Sequence, residues 1–183
     1  MAIAGGSLAR LAYIAEVTYG TTPATPAFQV INPTSHSIGL EKETFQSETI
    51  RSDRQLNDFR HGVRQASGDI GIEFRDASWD DLLQAVMMGT WSTDVLKAGT
   101  TRRSFTIERF FSDITRYRRA VGCEFNSFSL ECPATGIVTG TFSVIGMDDT
   151  GAGTPIASST YTADPNENVM DSLSGSITVG GSA

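Results

Sequence analysis

The sequence has few of the residues that most often build a chemical site in a protein. Its 183 residues include two histidines, His36 and His61, and two cysteines, Cys123 and Cys132. No pair of these residues has the spacing of transition-metal ligands. No glycine-rich phosphate-binding loop follows a strand and opens a helix, and no G-x-S-x-G motif for a nucleophilic serine occurs. We therefore expect no enzyme activity, no bound metal and no cofactor.

Long apolar runs and positive charge are also scarce. No continuous apolar run of about 18 residues occurs, so no membrane insertion is expected. The first residues lack a charged region ahead of an apolar stretch, which argues against a signal peptide and predicts synthesis in a cytoplasm. Lysines and arginines number 14 against 21 aspartates and glutamates, giving a formal net charge of −7. Such a protein repels polyanions on average, so stable binding of nucleic acid is disfavoured.

The two cysteines lie in a segment that alternates in polarity like one continuous strand. Cys123 and Cys132 are nine positions apart, and nine residues of strand span about 30 Å. That separation is far beyond the reach of a disulfide bond. We therefore expect both thiols to be free, with Cys132 as a small core residue.

What the chain does have is a composition that favours strands and turns. Hydrophobic residues make up 39% and charged residues 19%, with 18 glycines, which indicates a globular, mainly β protein. Pro23, Pro26 and Pro33 interrupt regular structure near the start. They predict an extended N-terminal arm over residues 1–35, a loose terminus being the alternative. A single domain is then expected over residues 36–183.

Alternating polarity predicts most of the strands. It occurs in SIGLEKETFQSETI (37–50) and SGDIGIEF (67–74), and again in EFNSFSLEC (124–132) and GIVTGTFSVIG (136–146). The last two segments flank a short turn and predict a hairpin with one apolar and one small polar face. The residues expected on the core face are Ile38, Leu40, Ile70, Ile72, Phe74, Phe128, Leu130 and Phe142. Those expected on the polar face are Glu41, Glu43, Asp69, Glu73, Ser127, Ser129, Glu131, Thr139 and Thr141.

One amphipathic helix is predicted over about residues 78–88, in DASWDDLLQAVMMGTW (76–91). Ser78 is the expected N-cap, with Asp81 three positions on as in a capping box. Gly89 is expected to end the helix. The helix should pack on the core through an apolar stripe of Trp79, Leu82, Leu83, Val86 and Met87.

A long charged segment over residues 47–66 separates two of the predicted strands. Loops of this length in a compact domain are usually functional. Arginine and aspartate mixed with apolar side chains is the composition of an interface, so we predict that this loop docks on a neighbouring copy. The alternative is a solvated loop. The predicted contact residues are Arg51, Asp53, Arg54, Leu56, Asp58, Phe59, Arg60 and Arg64.

A shorter basic run occurs in TRYRRAVG, residues 115–122. Its arginines, Arg116, Arg118 and Arg119, form a weak nucleic-acid patch because the run is short and the protein is acidic. We expect them to pair with acidic residues of a neighbouring copy, the alternative being simple solvation.

Three stretches resemble the tail tube (major tail) proteins of long-tailed bacteriophages, of the siphovirus type. They are ARLAYIAEVTYGTTPATPAF (9–28), the charged loop SETIRSDRQLNDFRHGVRQASGDIGIEF leading into DDLLQAVMMGTW (47–91), and the hairpin GCEFNSFSLECPATGIVTGTFSVIG (122–146). The resemblance implies a β-sandwich or barrel subunit with one packed helix. It also implies hexameric rings, in which each subunit gives two hairpins to an inner barrel of 24 strands. Rings would stack into a hollow tube for genome delivery.

The resemblance further implies partners and a location. The partners would be other copies of the chain, a tape measure protein, and tail terminator and distal tail proteins. The protein would reside in the virion after assembly in the host bacterial cytoplasm, in a tail without a contractile sheath. The polar face defined above would line the lumen, where carboxylates and hydroxyls give passing double-stranded DNA few strong partners. The alternatives are a tail terminator or completion ring, and a β-sandwich binding module.

Overall fold

The structure, a computed structural model, describes residues 9–47, 59–165 and 168–173. These residues form ten strands and one helix, which confirms the expected mainly β fold with a single helix. In chain order the elements are β1 Ala9–Ala15, β2 Ala27–Ile31, β3 Ser35–His36, β4 Gly39–Gln46, β5 Phe59–Glu73, α1 Asp80–Val86, β6 Phe105–Phe111, β7 Arg116–Glu131, β8 Thr139–Gly146, β9 Asp148–Ala152 and β10 Thr160–Thr162.

All ten strands belong to one open sheet. Its order is β10-β2-β1-β6-β7-β8-β5-β3, with β4 also paired to β5 and β9 also paired to β7. Strand β7 joins the two halves, because residues 116–123 pair with β6 whereas residues 124–131 pair with β8. Gly122 lies at this junction with a φ of 63°, a conformation that glycine adopts without steric cost. We call β4, β5, β8 and residues 124–131 of β7 the four-strand segment.

The main apolar core draws on both halves of the sheet and on the helix. The predicted core face is confirmed at Ile38, Ile70, Ile72 and Phe142, which are all buried. Phe74 and Phe128 are partly buried and pack against the same cluster, and Leu40 is half-buried. Leu130 is the exception, with 48% of its surface exposed, because no described strand lies on the far side of β7 at that position.

The predicted N-terminal arm is wrong for residues 9–31. Strand β1 pairs along its whole length with β6 and also with β2, and Leu11, Phe28 and Ile31 are buried. The prolines do not prevent this because Pro23 and Pro26 lie in the connection between β1 and β2, where no ladder hydrogen bond is lost. The extent of the domain stays a prediction.

The helix is shorter than predicted and begins differently. Trp79 occupies the N-cap position with no side-chain cap hydrogen bond, so the capping box is wrong. The Ser78 hydroxyl instead donates to Asp164 Oδ1 at 2.9 Å, because this buried carboxylate needs a donor. Met88 takes a φ of 49°, which ends the helix before Gly89.

The apolar stripe of the helix is confirmed at four of its five positions. Trp79 and Leu82 are buried, and Leu83 and Val86 pack partly buried against the core. Met87 is exposed, because the helix has already ended at Val86. No helix in the described ranges has the length and apolarity that a membrane span requires.

Both cysteines are free, as expected, but one lies elsewhere than predicted. Cys123 is buried, and burial raises the pKa of its thiol to about 12, so it is an unreactive core residue. Cys132 is exposed. Its assignment to the core was wrong because β7 ends at Glu131 and the alternation does not continue past it.

Candidate functional site

One face of the four-strand segment carries short polar side chains in regular rows, and we call it the polar face. Seven of the nine residues predicted on this face lie on β5, β7 and β8, and the strand register brings them together. The cross-strand rows are Asp69–Ser143–Ser127, Gly71–Thr141–Ser129 and Glu73–Thr139–Glu131. All of these residues are exposed or half-buried, so the face is open to solvent in the single chain.

The other two residues predicted on this face, Glu41 and Glu43, lie on β4. Glu41 is opposite Gln65, which shares the side of β5 that carries Asp69. A register shift between Lys42 and Thr44 places one extra residue in β5. Both glutamates are exposed, so β4 extends the polar face past the end of β8.

The polar face offers acceptors and negative charge. Ser143 Oγ donates to Asp69 Oδ1 at 2.6 Å, which ties β5 to β8. The three rows contain no lysine or arginine. No group of three or more metal-ligating side chains occurs anywhere in the described part of the chain. Such a surface repels phosphates and gives them no strong partner.

Two edges of the four-strand segment are unpaired within the described residues. Strand β4 pairs only with β5. Residues 124–131 of β7 pair only with β8. Each edge is eight residues long and presents a row of backbone N–H and C=O groups, which is a template for pairing with another chain. Sequence periodicity alone could not reveal these edges, because it does not say which strands are neighbours.

The predicted loop over residues 47–66 lies only partly within the described structure. Arg51, Asp53, Arg54, Leu56 and Asp58 fall outside the described residues. Phe59, Arg60 and Arg64 belong to β5, so the prediction of a loop is wrong for residues 59–66. These residues form a long hairpin with β4 because the alternating pattern of β5 begins earlier than the charges suggested.

The far end of the β4–β5 hairpin is apolar on its surface. Phe45, Phe59 and Val63 are all more than half exposed, and the rings of Phe59 and His61 meet edge to face at 5.3 Å between centroids. Phe45 lies opposite Arg60 and Phe59 lies opposite Gln46, so the two rings lie on opposite faces of the hairpin and both faces expose apolar surface. Arg64, by contrast, pairs within its own chain, at 2.9 Å from Asp148.

The basic run after residue 115 serves the subunit itself. Arg118 and Arg109 are directly opposite on β7 and β6, and both guanidinium groups contact Oδ2 of the buried Asp149. The single negative charge of this carboxylate therefore offsets the repulsion between two guanidinium groups that would otherwise face each other unscreened. Arg119 binds Glu108 Oε2 at 2.8 Å.

The expectation of inter-subunit pairing is thus corrected for Arg118 and Arg119. Arg116 is exposed. The sequence signal that was missed is the charged pair Glu108–Arg109 inside an otherwise apolar strand, which indicates buried ion pairs on the neighbouring strand.

The hydroxyl of Tyr161 joins the buried ion pair of Glu108 and Arg119, and we call these residues and Arg10 the buried network. The Tyr161 hydroxyl donates to Glu108 Oε1 at 2.6 Å, and the Arg10 guanidinium lies 3.7 Å above the Tyr161 ring. Burial, and then the bond to Glu108, raise the pKa of the Tyr161 hydroxyl. The network holds β1, β6, β7 and β10 together.

Comparisons with known proteins agree with this architecture. The family described as "Phage tail tube protein" matches residues 6–183 of the chain. No curated protein matches it. The solved SPP1 tail tube is similar with a TM-score of 0.57 at 13% identity, covering 85% of this chain and 82% of that chain.

Two further solved structures share the fold. A chain of the anti-feeding prophage baseplate has a TM-score of 0.55 at 10% identity, covering 84% of this chain and 97% of that chain. A chain of the native gene transfer agent virion has a TM-score of 0.53 at 14% identity, covering 82% of this chain and 98% of that chain. Identities this low show a common fold and no more.

Proposed function

Because the chain belongs to the phage tail tube protein family, we propose that six copies close into a ring and that rings stack into a tube that delivers the genome. The protein is a structural component of the tail tube and hence of the virion. The observation that carries the proposal is the four-strand segment, with its two unpaired edges and its polar face.

Closure into a barrel accounts for the unpaired edges. In a single chain, two rows of backbone groups are left for water or for unwanted pairing. In a ring, each copy supplies one edge to each of its two neighbours, and the inner sheet has no edge left. Six copies of four strands give the 24-strand barrel. The helix and the apolar core then lie outside this wall.

The polar face accounts for genome passage. In the barrel it lines the lumen, with Asp69, Glu73 and Glu131 among serines and threonines, and with Glu41 and Glu43 at one end. A cationic wall would hold DNA at each phosphate, whereas carboxylates repel the backbone and hydroxyls bind it weakly. Double-stranded DNA would therefore move through without being retained.

The hairpin end and the loop beyond it account for contacts between copies. Phe45, Phe59 and Val63 would be buried against a neighbouring copy, and Arg60 and the loop residues Arg51, Asp53, Arg54, Leu56 and Asp58 would complete that interface. The tube would also contact a tape measure protein inside and terminator and distal tail proteins at its ends. Assembly would take place in the host bacterial cytoplasm.

Electron microscopy of the purified protein across a concentration series tests the proposal. We expect monomers at low concentration, and rings and hollow tubes with a regular axial repeat as concentration rises. Rings that never stack would point to a terminator ring. Monomers that persist at millimolar concentration would overturn the proposal.

A further inference from the structure

The two unpaired edges of the four-strand segment run in opposite directions. The pairs β4–β5, β5–β8 and β8–β7 are all antiparallel, so the first and last of the four strands are antiparallel to each other. Rotation about a ring axis moves a copy without turning it over. In the ring proposed above, on which this inference rests, β4 of one copy therefore meets β7 of the next in antiparallel orientation.

The two edges also present matching backbone groups. Phe74 N–H donates to the carbonyl of Val138, the residue before β8, at 2.8 Å, whereas the Asp69 carbonyl accepts from the N–H of Ser37, two residues before β4, at 2.9 Å. Even-numbered residues of β5 thus point their backbone groups toward β8, and odd-numbered ones toward β4. By the same alternation, the residues whose backbone groups face the unpaired edges are Leu40 and Lys42 on β4 and Phe128 and Leu130 on β7.

Side-chain parity leaves few possible registers between these edges. The polar side chains of both strands must stay on one face, so the register can change only in steps of two residues. The registers that overlap most of both edges set Leu130 opposite Ile38, Leu40 or Lys42. The three differ in which side chains and carbonyl groups they bring together.

Chemistry separates the three registers. Setting Leu130 opposite Lys42 places Glu41 directly opposite Glu131, and like charges in that position are destabilising. Setting it opposite Ile38 pairs Leu130 with a residue that precedes β4 and whose carbonyl already accepts a hydrogen bond from Arg109 Nη1.

The remaining register has neither fault. With Leu130 opposite Leu40, each carboxylate of β4 faces a hydroxyl, Glu41 opposite Ser129 and Glu43 opposite Ser127. The exposed Leu130 side chain gains an apolar neighbour. We infer that β4 of one copy pairs with β7 of the next in this register, with Leu40 opposite Leu130.

This register also sets the slope of the strands. Gly39 lies directly opposite Ser67 of β5 in its own copy. Its partner across the boundary, Glu131 of the neighbouring copy, lies in the same cross-strand row as Glu73 of β5 in that copy. The displacement is 73 − 67 = 6 residues over four strands. At about 3.4 Å per residue and 4.8 Å per strand, the strands tilt by about 45° from the ring axis.

The sense and size of the barrel follow from the same displacement. With L-amino acids and the polar face inside, the displacement coils the strands in a right-handed sense, as strand twist requires. The opposite face inside would reverse it. Twenty-four strands at this tilt enclose a barrel about 50 Å across between opposite backbones, which is wider than a DNA duplex.

Disulfide trapping in assembled tubes tests the register. The parent is Cys132→Ser, which removes the exposed thiol, and the test variant adds Leu40→Cys and Leu130→Cys. Directly opposite residues with facing backbone groups have Cα atoms about 5.5 Å apart, which suits a disulfide. The matched pairs for the other registers are Lys42→Cys with Leu130→Cys and Ile38→Cys with Leu130→Cys. Single-cysteine variants control for random cross-linking.

After mild oxidation, a non-reducing gel should show covalent oligomers up to the hexamer for the 40/130 pair, at least about tenfold more than for either other pair. A stronger ladder from another pair would overturn the register. Tubes without a ladder from any pair would overturn the pairing of β4 with β7 and leave the tube itself standing. A parent that forms neither rings nor tubes would instead overturn the proposed function.

Cryo-electron microscopy of tubes of the unsubstituted protein gives a reading that does not depend on the cysteine variants. It should show inner strands tilted by about 45° in a right-handed sense and Leu40 beside Leu130 of the next copy. A tilt near about 35° or about 55° would mean a register shifted by two residues and would overturn the inference.

Discussion

The two halves of the sheet differ in how many of their charged and backbone groups find partners within one chain. In the half built on β1, β6 and the first part of β7, buried charges such as Glu108 and Asp149 have partners in the same chain. In the four-strand segment, two strand edges are unpaired among the described residues and Leu130 is exposed. The first half therefore stabilises the subunit by itself, whereas the ring proposed above would complete the second half with strands of other copies.

The largest expected effect is a loss of stability in the half of the sheet built on β1, β6 and the first part of β7. Asp149→Asn removes the charge that Arg109 and Arg118 share. Because it leaves a buried arginine unpaired, we expect a loss of about 3–5 kcal/mol in the free energy of unfolding. Denaturant unfolding of the monomer measures it. The matched control is Asp148→Asn, whose partner Arg64 is partly exposed and which should cost less than about 1 kcal/mol. Equal effects would remove the distinction between the halves.

A substitution at the unpaired edge of β4 should impair assembly and leave the stability of the monomer nearly unchanged. Lys42 of β4 lies opposite Arg64 of β5, and the backbone N–H of Lys42 points away from β5. Lys42→Pro removes that donor without removing a hydrogen bond of the monomer. We expect the concentration needed for tube assembly to rise by about 100-fold or more, with the unfolding free energy of the monomer nearly unchanged.

Lys42→Ala is the control for loss of the side chain, and it should assemble nearly as the original chain does. Light scattering against concentration gives the assembly threshold. Normal assembly of the proline variant would argue that the edge of β4 is not used.

A third experiment changes charges on the polar face and leaves the unpaired strand edges unchanged. We expect Asp69→Lys, Glu73→Lys and Glu131→Lys together to leave tube formation intact and to make the tubes bind DNA in a salt-dependent manner. The neutral control replaces the same residues with Asn, Gln and Gln. DNA retention at about 50 and 200 mM salt is the measurement. Lysine tubes that bind no more DNA than the neutral tubes would contradict a lumenal position for these side chains.

The smallest expected effect is a pH dependence within the subunit. Burial, and then the charge of Arg109, lower the pKa of His36. The folded chain therefore takes up this proton less readily than the unfolded chain. Stability from neutral His36 is present above its ordinary pKa of about 6.5 and is lost as pH falls toward the lowered value.

The measurement for His36 is the unfolding free energy at several values between about pH 8 and pH 5, a range that includes its ordinary pKa. His36→Gln should weaken the fall in stability on acidification, because the substituted side chain cannot take up the proton. An unchanged slope in this variant would assign the pH dependence to other groups.

Much of the fold could be predicted from local pattern. Ile70, Ile72 and Phe142 were placed on the core face because alternation in a strand has a period of two and does not depend on neighbours. The stripe of the helix followed from its own period in the same way. Prediction failed where partners distant in sequence decide the outcome. Ser78 caps no helix because its hydroxyl instead donates a hydrogen bond to Asp164, and residues 9–31 form strands because β6 pairs with β1.

The sequence by itself determined which side chains share a face of each strand, the acidic balance of the chain and the absence of a metal-binding or nucleophilic motif. These properties depend on residue type and on short spacing alone. Only the tertiary structure decided that Arg118 and Arg109 share Asp149, that Cys132 is exposed and that two edges are unpaired. Pairing, burial and charge neutralisation depend on which segments meet in space, and meetings across long stretches of chain leave no periodic trace in the sequence.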